Sequence, residues 1–195
     1  MADPISLAGT AVASTPEVNM SKIRLREEAD LPGCARALEA VYAKNGYPVY
    51  GVGNAIGFLQ TDDTAWVAED ANGNITGHIA LSKADPSDVS AALWWELHPQ
   101  EEQPIAVLGR LFVHPEARGG GIANKLMQTA LDEARRRGQR LVMFALANVP
   151  DAIRMYHRLG WEHFGTTVFR WKGDAGEELE MDAQCFASPV IADKK

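Results

Sequence analysis

The chain has 195 residues, 46% of them hydrophobic and 23% charged, the balance of a globular protein large enough for one sizeable core. A net charge of −7 argues against a nucleic-acid binder, and no apolar run reaches the length of a membrane span. Two cysteines, Cys34 and Cys185, without CxxC spacing argue against a disulfide framework or a zinc site, and both read as small buried hydrophobes.

Residues 1–21 are rich in Ala, Ser, Thr and Pro, and no Lys or Arg occurs in the first twenty. They read as a disordered N-terminal extension without the basic region of a secretory signal, so a cytoplasmic location is expected. The domain is expected to span 22–187, with 188–195 as a C-terminal tail.

Ile23 and Leu25 alternate with Arg24 and Arg26, as in a half-buried strand. Asp30 is placed to cap a helix with Leu31, Cys34, Leu38 and Val41 on one face, ending near Asn45-Gly46. A loop with Tyr47 and Tyr50 follows, then a short helix over about 54–60. Strand-like runs at 65–69 and 75–81 flank Asp70-Ala71-Asn72-Gly73-Asn74, a hairpin turn by composition. Ser82 to Gln103, which contains Trp94 and Trp95, reads as a long irregular insertion.

A strand is expected over 105–113. After Pro115 the chain runs Arg118-Gly119-Gly120-Gly121-Ile122-Ala123 into a helix over about 120–137, with Ile122, Leu126, Ala130 and Ala134 on one face and Gly138 at its end. Glycines that admit close backbone approach, set before a helix N-terminus, form the arrangement that holds an anionic diphosphate. Between Arg110 and Arg140 there are seven basic residues against three acidic ones, either a solvated helix face or a local anion site in an acidic protein. The apolar run 141–146 reads as a strand covered on both faces, followed by a helix over 150–159 that Gly160 ends. Two last strands turn around 172–176. The order β-α-α-β-β-β-α-β-α-β-β predicts an α/β fold with a mixed central sheet flanked by helices on both faces.

These motifs resemble the GNAT superfamily of acyl-CoA-dependent N-acetyltransferases. The family's pyrophosphate pattern, Gln/Arg-x-x-Gly-x-Gly/Ala, is matched by Arg118, Gly121 and Ala123, and Leu111-Phe112-Val113 resembles the end of its fourth strand. Asn148, Ala152, Tyr156, Gly160 and Trp161 resemble its second motif. A dinucleotide fingerprint would need glycine at Asn124, and a P-loop would need Gly-Lys-Ser/Thr.

The resemblance implies a sheet of about seven strands and acetyl-CoA as cosubstrate, with no metal. It also implies a bulge in the strand ending at Val113, which splays from the strand over 141–146 and frees amides for pantetheine. Acetyl-CoA would be held by Leu111, Phe112, Val113, Arg118, Gly119, Gly120, Gly121, Ile122, Ala123, Asn148 and Tyr156. Asn148 could instead cap the next helix. Tyr156 is the candidate general acid. The general base stays open: the matching stretch of the fourth strand, Ala106 to Arg110, has no carboxylate. Glu96, Glu101, Glu102 and His78 are the alternatives.

Tyr47, Tyr50, Phe58, Trp94 and Trp95 are expected to line an acceptor pocket for a small, partly apolar amine. Arg110 either makes a surface salt bridge or pairs with a carboxylate on the acceptor. The expected activity is acetyl transfer from acetyl-CoA to a primary amine of a small molecule, by direct attack in a ternary complex. An acyl-CoA-binding regulatory module and an acetyltransferase acting on protein N-termini or lysines are the alternatives. No nucleic-acid or membrane partner is expected, and a homodimer is left open.

Overall fold

The computed structural model describes residues 21–60, 64–173 and 175–189. The expected extension over 1–21 and tail over 188–195 therefore lie almost wholly outside the described residues. Among the described residues, seven strands form one sheet: β1 (Lys22–Leu25), β2 (Thr64–Glu69), β3 (Ile75–Lys83), β4 (Ile105–Val113), β5 (Arg140–Leu146), β6 (Glu162–Lys172) and β7 (Glu178–Ala187). Their order is β1-β2-β3-β4-β5-β7-β6. Only β4 and β5 run parallel, and helix α4 (Ile122–Arg136) makes the crossover between them.

Two faces of the sheet are covered. On one, α4 and α5 (Pro150–Arg158) pack Leu126, Met127, Ala130 and Tyr156 against Ile79, Leu108, Leu141 and Met143. On the other, α1 (Leu31–Asn45) and α2 (Ala55–Leu59) cover Val67 and Phe112. There α3 (Val89–Leu97) covers Ile105, Val142 and Ala187. Both cysteines are buried and free, and burial pushes each thiol up to about 12.

Three expectations change. Residues 89–97 form α3 rather than irregular chain, because Asp88 caps it and Ala91 and Trp94 pack inward. Asp30 occupies the N-cap position of α1 as expected but makes no side-chain capping bond there; its carboxylate accepts from both Arg24 terminal nitrogens at 2.6 and 2.8 Å and from the Glu27 amide. The sheet also outlasts β7, because the Ser188 amide donates to the Leu141 carbonyl and its hydroxyl accepts from the Leu141 amide. Arg135, Arg136 and Arg137 behave as a solvated helix face, paired with Asp132 and Glu133 on α4.

Candidate functional site

The parallel pair β4–β5 holds together for only three residues, Ile105↔Arg140, Ala106↔Leu141 and Val107↔Val142. Beyond them β5 keeps its partner β7 as far as Leu146↔Ala183, while β4 stays with β3 and turns away. The cause is a bulge. Gly109 opposes Ala80 and Phe112 opposes His78, so Arg110 and Leu111 share the single opposing residue Ile79. Arg110 takes the left-handed conformation, φ 51°, and the added local twist swings the strand end off β5. The result is a wedge-shaped gap whose β4 edge is not paired to β5. Such an edge suits an extended ligand arm that carries amides of its own.

At the open end of the wedge the chain makes a 3-10 turn, Pro115–Ala117, and enters the glycines. Gly119 and Gly121 have φ of 89° and 75°, and a Cβ on either would meet nothing within 4 Å. Gly121 caps α4 without a side chain, and the first helical bond runs from the Lys125 amide to the Gly121 carbonyl at 3.1 Å. The amides of Ile122, Ala123 and Asn124 thus precede the helical ladder and face out with the positive end of the helix dipole. Ile122 seats the helix close to the sheet over Gly77, where a Cβ would come within 3.1 Å of both Ile122 and Leu126. Arg118 is exposed, and its Nε donates to the Val113 carbonyl at 3.2 Å, which ties the turn to the strand end.

Tyr156 packs from α5 on the same face, with its ring 5.6 Å from Phe186 and 6.3 Å from Trp161. Burial pushes its phenol up to about 12. Asn148 is exposed in the turn before α5, whose N-cap is Val149 without a side-chain cap, so the capping alternative for Asn148 drops out.

The opposite face of the wedge carries aromatic residues that sequence reasoning did not single out. Phe144 lies two residues beyond Val142 and so faces the α3 side. Its ring is 4.9 Å from Phe169, which in turn stacks 5.8 Å from Trp171 and meets the half-exposed Tyr50 edge-on at 5.9 Å. Asp88, at the start of α3, lies within electrostatic reach of Tyr50 and Cys185. Its Oδ1 accepts from the Ser90 and Ala91 amides and the Ser90 hydroxyl. Burial first, and then Asp88, raise the Tyr50 phenol pKa, against the pull of Arg110.

The expected acceptor residues divide accordingly. Tyr50 stands on this wall, and Tyr47 is packed against the α1–α2 cluster. Trp94 is 2% exposed, stacked on His98 at 3.9 Å with the Arg140 guanidinium 4.6 Å from its ring, so it is core beneath the closed end of the wedge. Trp95 points out to solvent from α3. Glu96 lies exposed near the last turn of α3, and Glu102 three residues before the closed end at Ile105. About 17 Å of strand separates Ile105 from Arg110, so the structure does not bring these carboxylates to the bulge. Arg110 is held by the protein: its Nε donates to the Phe58 carbonyl at 2.7 Å and its guanidinium lies 4.9 Å from the Phe58 ring centre.

Phe169 and Trp171 could have been found from the alternation of the sixth strand, but only with its register to β7 known. Asp88 carried a usable signal, an Asp followed two residues later by Ser, inside a segment read as irregular. Among the described residues no group of His, Cys, Asp and Glu could hold a metal ion, and no helix is long and apolar enough to cross a membrane.

The sequence model of the acetyltransferase (GNAT) family matches residues 29–161. An uncharacterized N-acetyltransferase of Methanocaldococcus jannaschii, MJ1207, is 28% identical over 105 residues, 53% of this chain and 42% of that protein. Another from Escherichia coli K12, YjgM, is 36% identical over 63 residues, 32% of this chain and 38% of that protein. The chain thus spans less than half the length of these curated relatives. Among solved structures, a ribosomal-protein-alanine N-acetyltransferase from Brucella melitensis aligns with a TM-score of 0.62 at 22% identity, covering 87% of this chain and 99% of that one. NAA60 of Arabidopsis thaliana in complex with acetyl-CoA aligns with a TM-score of 0.62 at 17% identity, covering 86% and 97%. At these identities the likeness is one of fold.

Proposed function

Since the chain belongs to the acetyltransferase (GNAT) family, we propose that it transfers the acetyl group of acetyl-CoA to the primary amine of a small molecule, by direct attack in a ternary complex. One observation carries the reading: the β4–β5 wedge opens onto the glycine turn and the free amides of α4. The donor set fits the cosubstrate. Amides of Gly119 to Ala123, with space where glycine Cβ atoms would stand, suit a diphosphate, and Arg118 adds positive charge beside it. The unpaired edge over Leu111, Phe112 and Val113 suits the pantetheine amides, with Asn148 on the opposite rim. Acetyl-CoA supplies an activated carbonyl and a thiolate leaving group.

The protein's own part is electrostatic and positional. A main-chain N–H of the bulged segment polarises the thioester carbonyl. Tyr156 gives its hydroxyl proton to the departing sulfur. A phenol near 12 would be a poor acid toward a solvated thiolate of pKa about 8.5. Burial raises thiols as well: it pushes Cys34 and Cys185, on the other face of the sheet, up to about 12. A thiolate released where water is excluded is raised in the same direction, which narrows the gap to Tyr156.

The amine arrives on the α3 side. Tyr50, Phe144, Phe169 and Trp171 offer an apolar and cation-π surface, and Asp88 keeps Oδ2 available beyond its capping bonds to draw an ammonium group.

The test is turnover by the purified chain with acetyl-CoA and a panel of primary amines, read as free CoA thiol. Release that requires both substrates and favours amines with apolar substituents is expected. Coenzyme binding without turnover on any amine would reduce the protein to a binding module, and turnover only on peptide N-termini or lysines would move the substrate class.

A further inference from the structure

We propose that His78 is a positioning residue for acyl transfer: its imidazole clamps the Arg110 carbonyl and so holds the left-handed bulge from which β4 leaves β5. The inference rests on the acyl-transfer reading, but its geometry stands apart from it.

His78 lies on β3, fully buried, directly opposite Phe112 and stacked on its ring at 5.3 Å and 13°. Its Nδ1 is 2.9 Å from the Arg110 carbonyl oxygen. A carbonyl can only accept, so Nδ1 carries the hydrogen. Its Nε2 is 2.9 Å from Arg26 Nη1, and a guanidinium can only donate, so Nε2 is the bare nitrogen. Both neighbours thus select the same neutral tautomer. Burial pushes the imidazole down to about 3, so it stays neutral at any working pH.

The clamp is anchored behind His78. Arg26 Nη1 also donates to the Leu59 carbonyl at 2.6 Å, and Arg110 Nε donates to the Phe58 carbonyl at 2.7 Å. Two guanidiniums therefore grip consecutive carbonyls at the end of α2, and His78 joins one to the main chain of the other. A non-glycine residue at φ 51° persists only where its surroundings over-determine it. Here the carbonyl is held by β3 and the side chain by α2. The bulge in turn decides where β4 departs and how its amides face the wedge, and acyl transfer is sensitive to such placement. A histidine with both ring nitrogens engaged is a costly filler for a sheet interior that Phe112 and Val67 line with apolar groups.

Three variants separate positioning from packing. His78→Asn places an amide N–H where Nδ1 donates; His78→Gln reaches toward Arg26 but not the bulge carbonyl; His78→Phe keeps only the ring stack. We expect His78→Gln and His78→Phe to lose about 10- to 100-fold in kcat. Calorimetric acetyl-CoA affinity should fall by less than kcat does, because the diphosphate turn belongs to α4 and only the pantetheine edge depends on the bulge. His78→Asn should recover most of kcat. Amide exchange at Arg110 to Phe112 should quicken in the Gln and Phe variants and not in Asn.

Equal kcat and equal exchange in the Asn and Gln variants overturns the clamp, and that comparison decides even where His78→Phe fails to fold. Loss of kcat that follows thermal stability across all three also overturns it. Should the wild type show no transfer, the function proposed above fails, while the exchange series still reports whether the clamp exists.

Discussion

In the turn before α4, Gly120→Ala separates ligand contact from folding. Gly120 lies outside the left-handed region, and its Cβ would meet only the Ala117 carbonyl at 3.9 Å, an ordinary contact. Without strain or clash, the substitution acts through the unfolded chain and stabilises by about 0.4–1 kcal/mol. For a chain of this length that raises Tm by about 1–4 °C. The added methyl nevertheless projects into the space proposed for the diphosphate, and loss of even one charge-assisted bond there is worth about 1.5–3 kcal/mol, or roughly 10- to 150-fold in affinity.

The assay is a thermal melt with and without CoA. At 100 times the wild-type Kd, the ligand stabilises the wild type by about 2.7 kcal/mol. A variant binding 30-fold more weakly keeps only about 0.9 kcal/mol of that at the same concentration. Gly121→Ala is the companion: its Cβ also meets open space, but φ 75° adds about 1–2 kcal/mol of backbone strain, so its Tm without ligand should fall. Gly120→Ala with a raised Tm and an undiminished CoA shift would refute the placement of the diphosphate at this turn.

Tyr156→Phe should lower kcat by about 10²- to 10⁴-fold with Tm little changed, since ring packing on Phe186 and Trp161 is kept; steady-state kinetics beside a melt would check both. Asp88→Asn preserves a good helix cap but removes the charge, so stability should hold within about 0.5 kcal/mol while KM rises for cationic amines more than for weakly basic ones. His78, pushed down to about 3 from 6.5, binds no proton in the fold where the unfolded chain does. Stability should therefore fall as pH drops below 6.5, by about 2 kcal/mol at pH 5 from this group, and denaturant titrations should find that increment missing in His78→Asn. Gly77→Ala would press its Cβ on Ile122, Leu126 and the Phe112 carbonyl at 3.1–3.2 Å, costing about 1–3 kcal/mol and weakening CoA binding by lifting the start of α4, as melts and calorimetry would show.

Local chemistry sufficed for what is written in one stretch of chain. The glycine turn and its helix, the strand over Ile105–Val113 and the hairpin at Asp70–Asn74 follow from positive-φ residues, apolar spacing and an Asx turn. Neighbours within a few residues set all of these. Trp94 and Trp95 show the limit. Adjacent on a helix, they point about 100° apart, and only the packing of α3 on β5 and β6 decides that Trp94 is core and Trp95 is surface. Glu96 and Glu102 are candidate bases by residue type, yet Glu96 sits on α3 two residues from Trp94, which packs on Arg140, and Glu102 lies three residues before Ile105, both toward the closed end of the wedge.

The sequence by itself determined that a glycine turn suited to an anion joins a strand to a helix, because glycine freedom and helix polarity are properties of the local backbone. Only the tertiary structure decided what stands around it. The bulge at Arg110, the histidine that clamps it, and the wall of Tyr50, Phe144 and Phe169 bring together groups from α1–α2, β3, β4, β5 and β6. Their meeting depends on strand order and on a one-residue slip in register, which no local pattern encodes.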